Sequence, residues 1–166
     1  MGGIEAVKRV LSYWWFKALL GAVGVFLLMQ LVPYRVDNPP ARDEPAWDSP
    51  ETRALAERAC FSCHSNETKV LSFEKVAPIS WYVANHVKEG RSALNFSEWH
   101  TTPGEEADDA AESVGRGMPL SSYTAFGLHK EAKLTAAEQR QLIDGLDRTI
   151  AADPPAGEGH RGKGGG

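Results

Sequence analysis

Residues 58–67 read RACFSCHSNE, and this stretch decides how the rest of the chain is read. It sets Cys60, Cys63 and His64 at the spacing C-x-x-C-H, and the chain holds no further cysteine. On one helical turn this spacing presents two thiols to the vinyl groups of a haem and turns the adjacent histidine toward the iron. C-x-x-C-H is the attachment signal of c-type haem, and histidine is a usual axial ligand. A zinc site would need a fourth ligand, and structural zinc seldom takes three ligands from five consecutive residues. A thioredoxin-like redox pair accompanies a βαβ pattern, and no β-period runs through this sequence. The expected cofactor is one covalently attached haem c, held by Cys60, Cys63 and His64.

Upstream, residues 18–32 read ALLGAVGVFLLMQLV, with Gln30 the one polar side chain. Extended back through YWWF to Tyr13, the run reaches about twenty residues, enough for a helix to cross a hydrocarbon core of ~30 Å. Lys17 lies near one end, where its stem can reach the headgroups. Tyr13, Trp14 and Trp15 suit one interface and Tyr34 the other. Lys8, Arg9 and Lys17 put the N-terminus on the cytoplasmic side by the positive-inside rule. The expected organisation is a cytoplasmic N-terminus (1–12), a transmembrane anchor (13–34), a proline-rich stalk (35–48), a helical haem domain (49–152) and a disordered tail (153–166). The expected location is the bacterial cytoplasmic membrane, with the haem domain on the periplasmic side. The segment ends in LVPYRVDNPP, without the small-residue cleavage site of a signal peptide.

Residues 49–60, SPETRALAERAC, predict a helix with Ser49 as N-cap, Pro50 in the first turn and Glu51 at the positive end of the dipole. Residues 77–91, APISWYVANHVKEGR, predict a helix closed by Gly90. Residues 102–117, TPGEEADDAAESVGRG, predict a third, acidic helix with Thr102 and Glu105 as its capping box. Residues 134–152 give the clearest helix: Thr135 and Glu138 form a capping box, and Leu142, Ile143, Leu146 and Ile150 form one apolar stripe. The fold class is all-α.

The iron needs a ligand opposite His64. Of three methionines, Met1 starts the chain and Met29 lies in the apolar run, which leaves Met118 in GRGMPLSSY. A following proline stiffens that loop. His86, on a helix, and His100, after Trp99, are the rival ligands, and His160 falls in the tail. His129 and Arg91 are candidates to contact the haem propionates. A net charge of -4 argues against a nucleic-acid partner.

The order CFSCHSNET (60–68), APISW (77–81), VKEGRSALNFSEW (87–99), GMPLSSY (117–123) and LHKEAKLTAAE (128–138) resembles the bacterial haem-binding domain family, and so does the NPPARDEPAWDSPETRALA run (38–56). The resemblance implies a small cytochrome c-like helical fold behind one N-terminal anchor. It implies attachment at Cys60 and Cys63, His64 as proximal ligand and Met118 as distal ligand. The family's tryptophan-rich WPWY-like stretch is VLSFEK (70–75) here, and its M-P-P is M-P-L. The expected role is electron transfer to a redox partner protein or membrane complex, with the chain a lone cytochrome or a subunit. The alternative is a haem-based sensor or ligand-binding module with a displaceable sixth ligand. No catalytic constellation accompanies the motif, so an enzyme is not expected.

Overall fold

The structure is a computed structural model. It describes residues 2–125 and 129–157, with side chains from Tyr13 onward. The side chains of the expected cytoplasmic segment, and His160 with the rest of the tail after Gly157, lie outside the described residues. The described residues hold six α-helices and no strand: α1 (Gly2–Met29), α2 (Pro50–Ala59), α3 (Phe61–His64), α4 (Ile79–Ala93), α5 (Ala110–Gly115) and α6 (Ala136–Ala152). Short 3-10 turns lie at Ser72–Lys75, Ala107–Asp109 and Lys130–Ala132.

α1 runs for 28 residues and leaves Trp14, Trp15, Leu20 and Leu28 exposed. Among the described residues no helix is long and apolar enough to cross a membrane.

The helix starts follow the sequence chemistry. The Ser49 hydroxyl accepts from Thr52 N and caps α2 behind Pro50. At α6 the capping box is closed both ways, with Glu138 N donating to Thr135 Oγ1 and Thr135 N to Glu138 Oε2. α6 turns Leu142 and Leu146 into the core against Leu55, Ala56, Phe61, Phe96, Trp99 and Val114, while Ile143 and Ile150 pack at its edge. Gly145 lets α6 lie directly on α2, because a β-carbon there would overlap the Thr52 side chain. The core is aromatic around the cysteine motif: Phe96 stacks on Phe61 at 5.6 Å and on Trp99 at 5.9 Å, and Trp47 leans on both phenylalanines.

Four expectations are corrected. α4 does not close at Gly90 but runs on to Ala93, with Leu94 as its C-cap. The acidic helix begins at Ala110, not Thr102. Pro103 O accepts from Asn95 N, and Glu105 N and Glu106 N donate to Ser92 O and Ala93 O, so residues 103–106 are tied to the end of α4. Gly104, with φ of 101°, makes that close approach. Thr102 bonds Glu98 instead of capping.

The segment expected as a stalk lies against the domain as a strap. Arg42 N and Asp43 N donate to Ser97 O, Asn38 exchanges two hydrogen bonds with the Thr68 backbone, and Trp47 enters the core. The beginning of the tail is also held: Ala156 N donates to Trp99 O, and Trp99 Nε1 to Asp153 O.

Candidate haem site

The motif occupies the junction of α2 and α3. Cys60 caps α2 through Cys60 N to Ala56 O at 2.8 Å. Its own carbonyl then accepts from Cys63 N at 3.0 Å and His64 N at 2.9 Å, which puts both thiols and the imidazole on one turn. Phe61, fully buried, bolts that turn into the core. Ser65 Oγ donates to Phe61 O, and His64 O accepts from Phe96 N.

The His64 ring is oriented by α4. Nδ1 faces two carbonyl oxygens, Gly90 O at 2.9 Å and Leu94 O at 3.1 Å. Carbonyls only accept, so Nδ1 must carry the proton. The lone pair is thereby on Nε2, which is the form that ligates a metal, with its orientation fixed by the partners of the other nitrogen. Burial lowers the pKa of His64, against the raising effect of the Leu94 and Gly90 carbonyls, and so favours the neutral ring.

The thiols are not reactive ones. Burial pushes Cys60 up to about 12, and burial with Glu74 nearby raises Cys63. A reactive redox pair needs the opposite shift. Among the described residues no group of three His, Cys, Asp or Glu side chains can hold a metal ion.

Two hollows use the motif as a wall. A cleft of ≈ 230 Å³, predominantly apolar, is lined by Cys63, Phe73, Ile79, Tyr82, His86 and His129. A cavity of ≈ 60 Å³ is lined by Cys60, His64, Leu94, Phe96, Val114 and Met118. The donor set, the single tautomer of His64 and the apolar walls on both sides of the motif fit a haem. A model of the haem-binding domain family matches residues 24–148. The chain belongs to the haem-binding domain family. No curated protein and no solved structure matches the chain.

Within this haem-binding domain the sequence-predicted residues separate. His64 and Met118 share the smaller cavity. Met118 follows Gly117, whose φ is 120°, and its N donates to Ser113 O, so the loop turns back on α5. His129 reaches the larger cleft, but its Nε2 is engaged with Glu74 Oε1 at 3.1 Å and its ring stacks on Tyr123 at 4.0 Å. Arg91 is not brought to either hollow: its guanidinium donates to Ser65 O, Asp37 O, Asn38 Oδ1 and Thr68 Oγ1, which ties the strap to the end of the motif. Of the rival ligands, His86 lines the cleft with Nδ1 on Tyr82 O, and His100 lies apart, between Asp43 and Asp153.

Two residues with site roles carry no sequence signal of their own. Glu74 accepts from Leu71 N through Oε2 and from His129 through Oε1, joining two cleft walls. The Tyr123 hydroxyl is pushed up to about 12 by burial, so it stays a neutral donor at the cleft.

Proposed function

We propose that this haem-binding domain is a membrane-anchored mono-haem c-type cytochrome that transfers electrons on the extracytoplasmic side of the cytoplasmic membrane. It would act as a lone cytochrome or within a larger redox complex. The observation that carries the reading is the His64 ring, whose Nδ1 is spent on Gly90 O and Leu94 O while Nε2 remains a ligand.

In this reading Cys60 and Cys63 form the thioethers, His64 is the proximal ligand and Met118 the distal one. When bound, the haem iron supplies a one-electron couple, and a thioether ligand raises its potential. The His64 ring is held by two backbone carbonyls and the Met118 loop by the bond from Met118 N to Ser113 O, with Leu94, Phe96 and Val114 as the apolar wall between them. Around Met118 the surface is acidic: Glu105, Glu106, Asp108, Asp109 and Glu112 line the adjoining hollow with Arg116. Such a face suits a basic docking surface on a redox partner, with salt-sensitive association.

The anchor is read from the apolar run and its exposure. The apolar run continues past α1 to Val32, so the span is read from the sequence of residues 13–34 and not from the length of α1. The exposed faces of Trp14, Trp15, Leu19, Leu20, Leu27 and Leu28 have no protein cover and match lipid.

Met118 is 37% exposed, and this favours a second reading, a sensor whose sixth ligand is displaced by a small gas. Exposure of the reduced protein to carbon monoxide separates the two. A six-coordinate carrier resists binding and keeps its spectrum, whereas ready formation of the carbonyl adduct contradicts electron transfer as the primary role.

A further inference from the structure

Gln30 interrupts an otherwise apolar run, and its side chain has a specific partner. Nε2 donates to Ala77 O at 3.1 Å, and Oε1 accepts from Ala77 N at 3.0 Å. The same Nε2 bonds Phe26 O at 3.0 Å, so the amide is fixed to its own helix while it grips the turn before α4. One side chain satisfies both backbone groups of one residue. Such a pair is worth more where water is scarce than on an open surface.

This clamp sets a depth. Gln30 lies just beyond the last helical residue of α1, and Ala77 lies within hydrogen-bond distance of it, so both are at one level along α1. Beside Ala77, and outside the cleft, Val76 at 39% and Leu71 at 38% are apolar and exposed. The exposed Lys75 lies on the same segment, placed to reach lipid phosphates.

We infer that the Val76–Ile79 turn is a membrane-contact element, seated in the headgroup boundary of the bilayer and held there by Gln30. The haem domain therefore rides on the membrane in one fixed orientation. The occupant of the apolar turn is the lipid surface, because α1 carries the bilayer boundary to the level of Ala77. Phe73, Ile79 and Tyr82 also line the cleft beside Cys63, so the cleft opens next to the membrane. The inference rests on the reading of α1 as an anchor.

The test uses the full-length holoprotein in bilayers of phosphatidylethanolamine and phosphatidylglycerol. Benzoylphenylalanine replaces one residue at a time, at Leu20, Val76 or Glu112, and photo-crosslinks are identified by mass spectrometry. Lipid adducts are expected at positions 20 and 76 and not at 112. Gln30→Ala should lower the adduct at 76 several-fold and leave that at 20 unchanged. Lipid adducts at 20 with none at 76, or protein adducts at 76, overturn the docking and leave the anchor standing. Absence of lipid adducts at 20 overturns the anchor reading, and the docking with it.

Discussion

Gly90 lies so close to Cys63 that a β-carbon at position 90 would stand 2.6 Å from the Cys63 carbonyl oxygen. The missing side chain is what allows α4 to lie on the C-x-x-C-H turn. The same residue offers its carbonyl to His64 Nδ1, so packing and ligand orientation depend on one position.

Gly90→Ala would gain about 1 kcal/mol of helix propensity in a free helix. Here the clash is with backbone, which cannot rotate away, and overpacking of this kind costs about 1–3 kcal/mol. The expected outcome is a lower melting temperature and a reduced haem-to-protein ratio after expression. A variant that incorporates haem fully and melts at or above the wild-type temperature would show that α4 need not sit so close.

Under the proposed attachment, Cys60→Ala and Cys63→Ala would each leave one thioether, and the double replacement would leave none. The expected outcome, read by intact mass, is haem retained through denaturation in wild type and lost on denaturation in the double variant. Ser62→Ala, within the same turn but outside the attachment chemistry, should change nothing in that assay.

Arg91 spends its donors on the strap and on Ser65, with its side chain 14% exposed. Hydrogen bonds to a charged group contribute about 1.5–3 kcal/mol. Arg91→Ala is expected to lower stability by that order, to speed proteolysis within residues 37–43, and to leave the haem spectrum unchanged. A shifted potential with unaltered strap protection would return Arg91 to the haem.

His100 bridges Asp43 Oδ2 at 3.0 Å and Asp153 Oδ1 at 2.8 Å, joining the strap to the end of α6. Its pKa is raised above the ordinary 6.5, chiefly by the Asp153 hydrogen bond, and further by Asp43. A raised folded pKa means the contribution is complete below 6.5 and is lost as pH rises through the folded value. The ring is solvent-exposed, so the effect is screened and small. The melting temperature of wild type should exceed that of His100→Gln at acidic pH, with the gap closing toward pH 8. A gap independent of pH would mean the ring acts by packing alone.

Helix chemistry confined to a few adjacent residues is legible in the sequence. Ser49–Pro50, Thr135 with Glu138, and the Leu142–Leu146 stripe specify α2 and α6 through local hydrogen bonds and periodic burial. Cys60, Cys63 and His64 specify their turn in the same way. What escaped depends on partners distant in sequence. Thr102 and Glu105 have the spacing of a capping box, but Ser92 and Ala93 of α4 take the backbone donors that a helix start would have needed to cap. Residues 35–48 carry prolines and charges that read as a spacer, yet Arg91, Ser97 and Thr68 supply the partners that fold the segment back. Met118 is singled out by elimination among methionines, and it lies in the smaller cavity with His64. Glu74 is not, since its role is defined by a histidine 55 residues away.

The central claim is that His64 and Met118 together hold the iron of a c-type haem. The most direct test is the optical spectrum of the oxidised protein, wild type beside Met118→Ala. The account predicts a low-spin wild-type spectrum with the weak long-wavelength sulfur-to-iron band, and loss of that band with a fall in potential in Met118→Ala. A wild-type spectrum without the band, or one that Met118→Ala leaves unchanged, would contradict it.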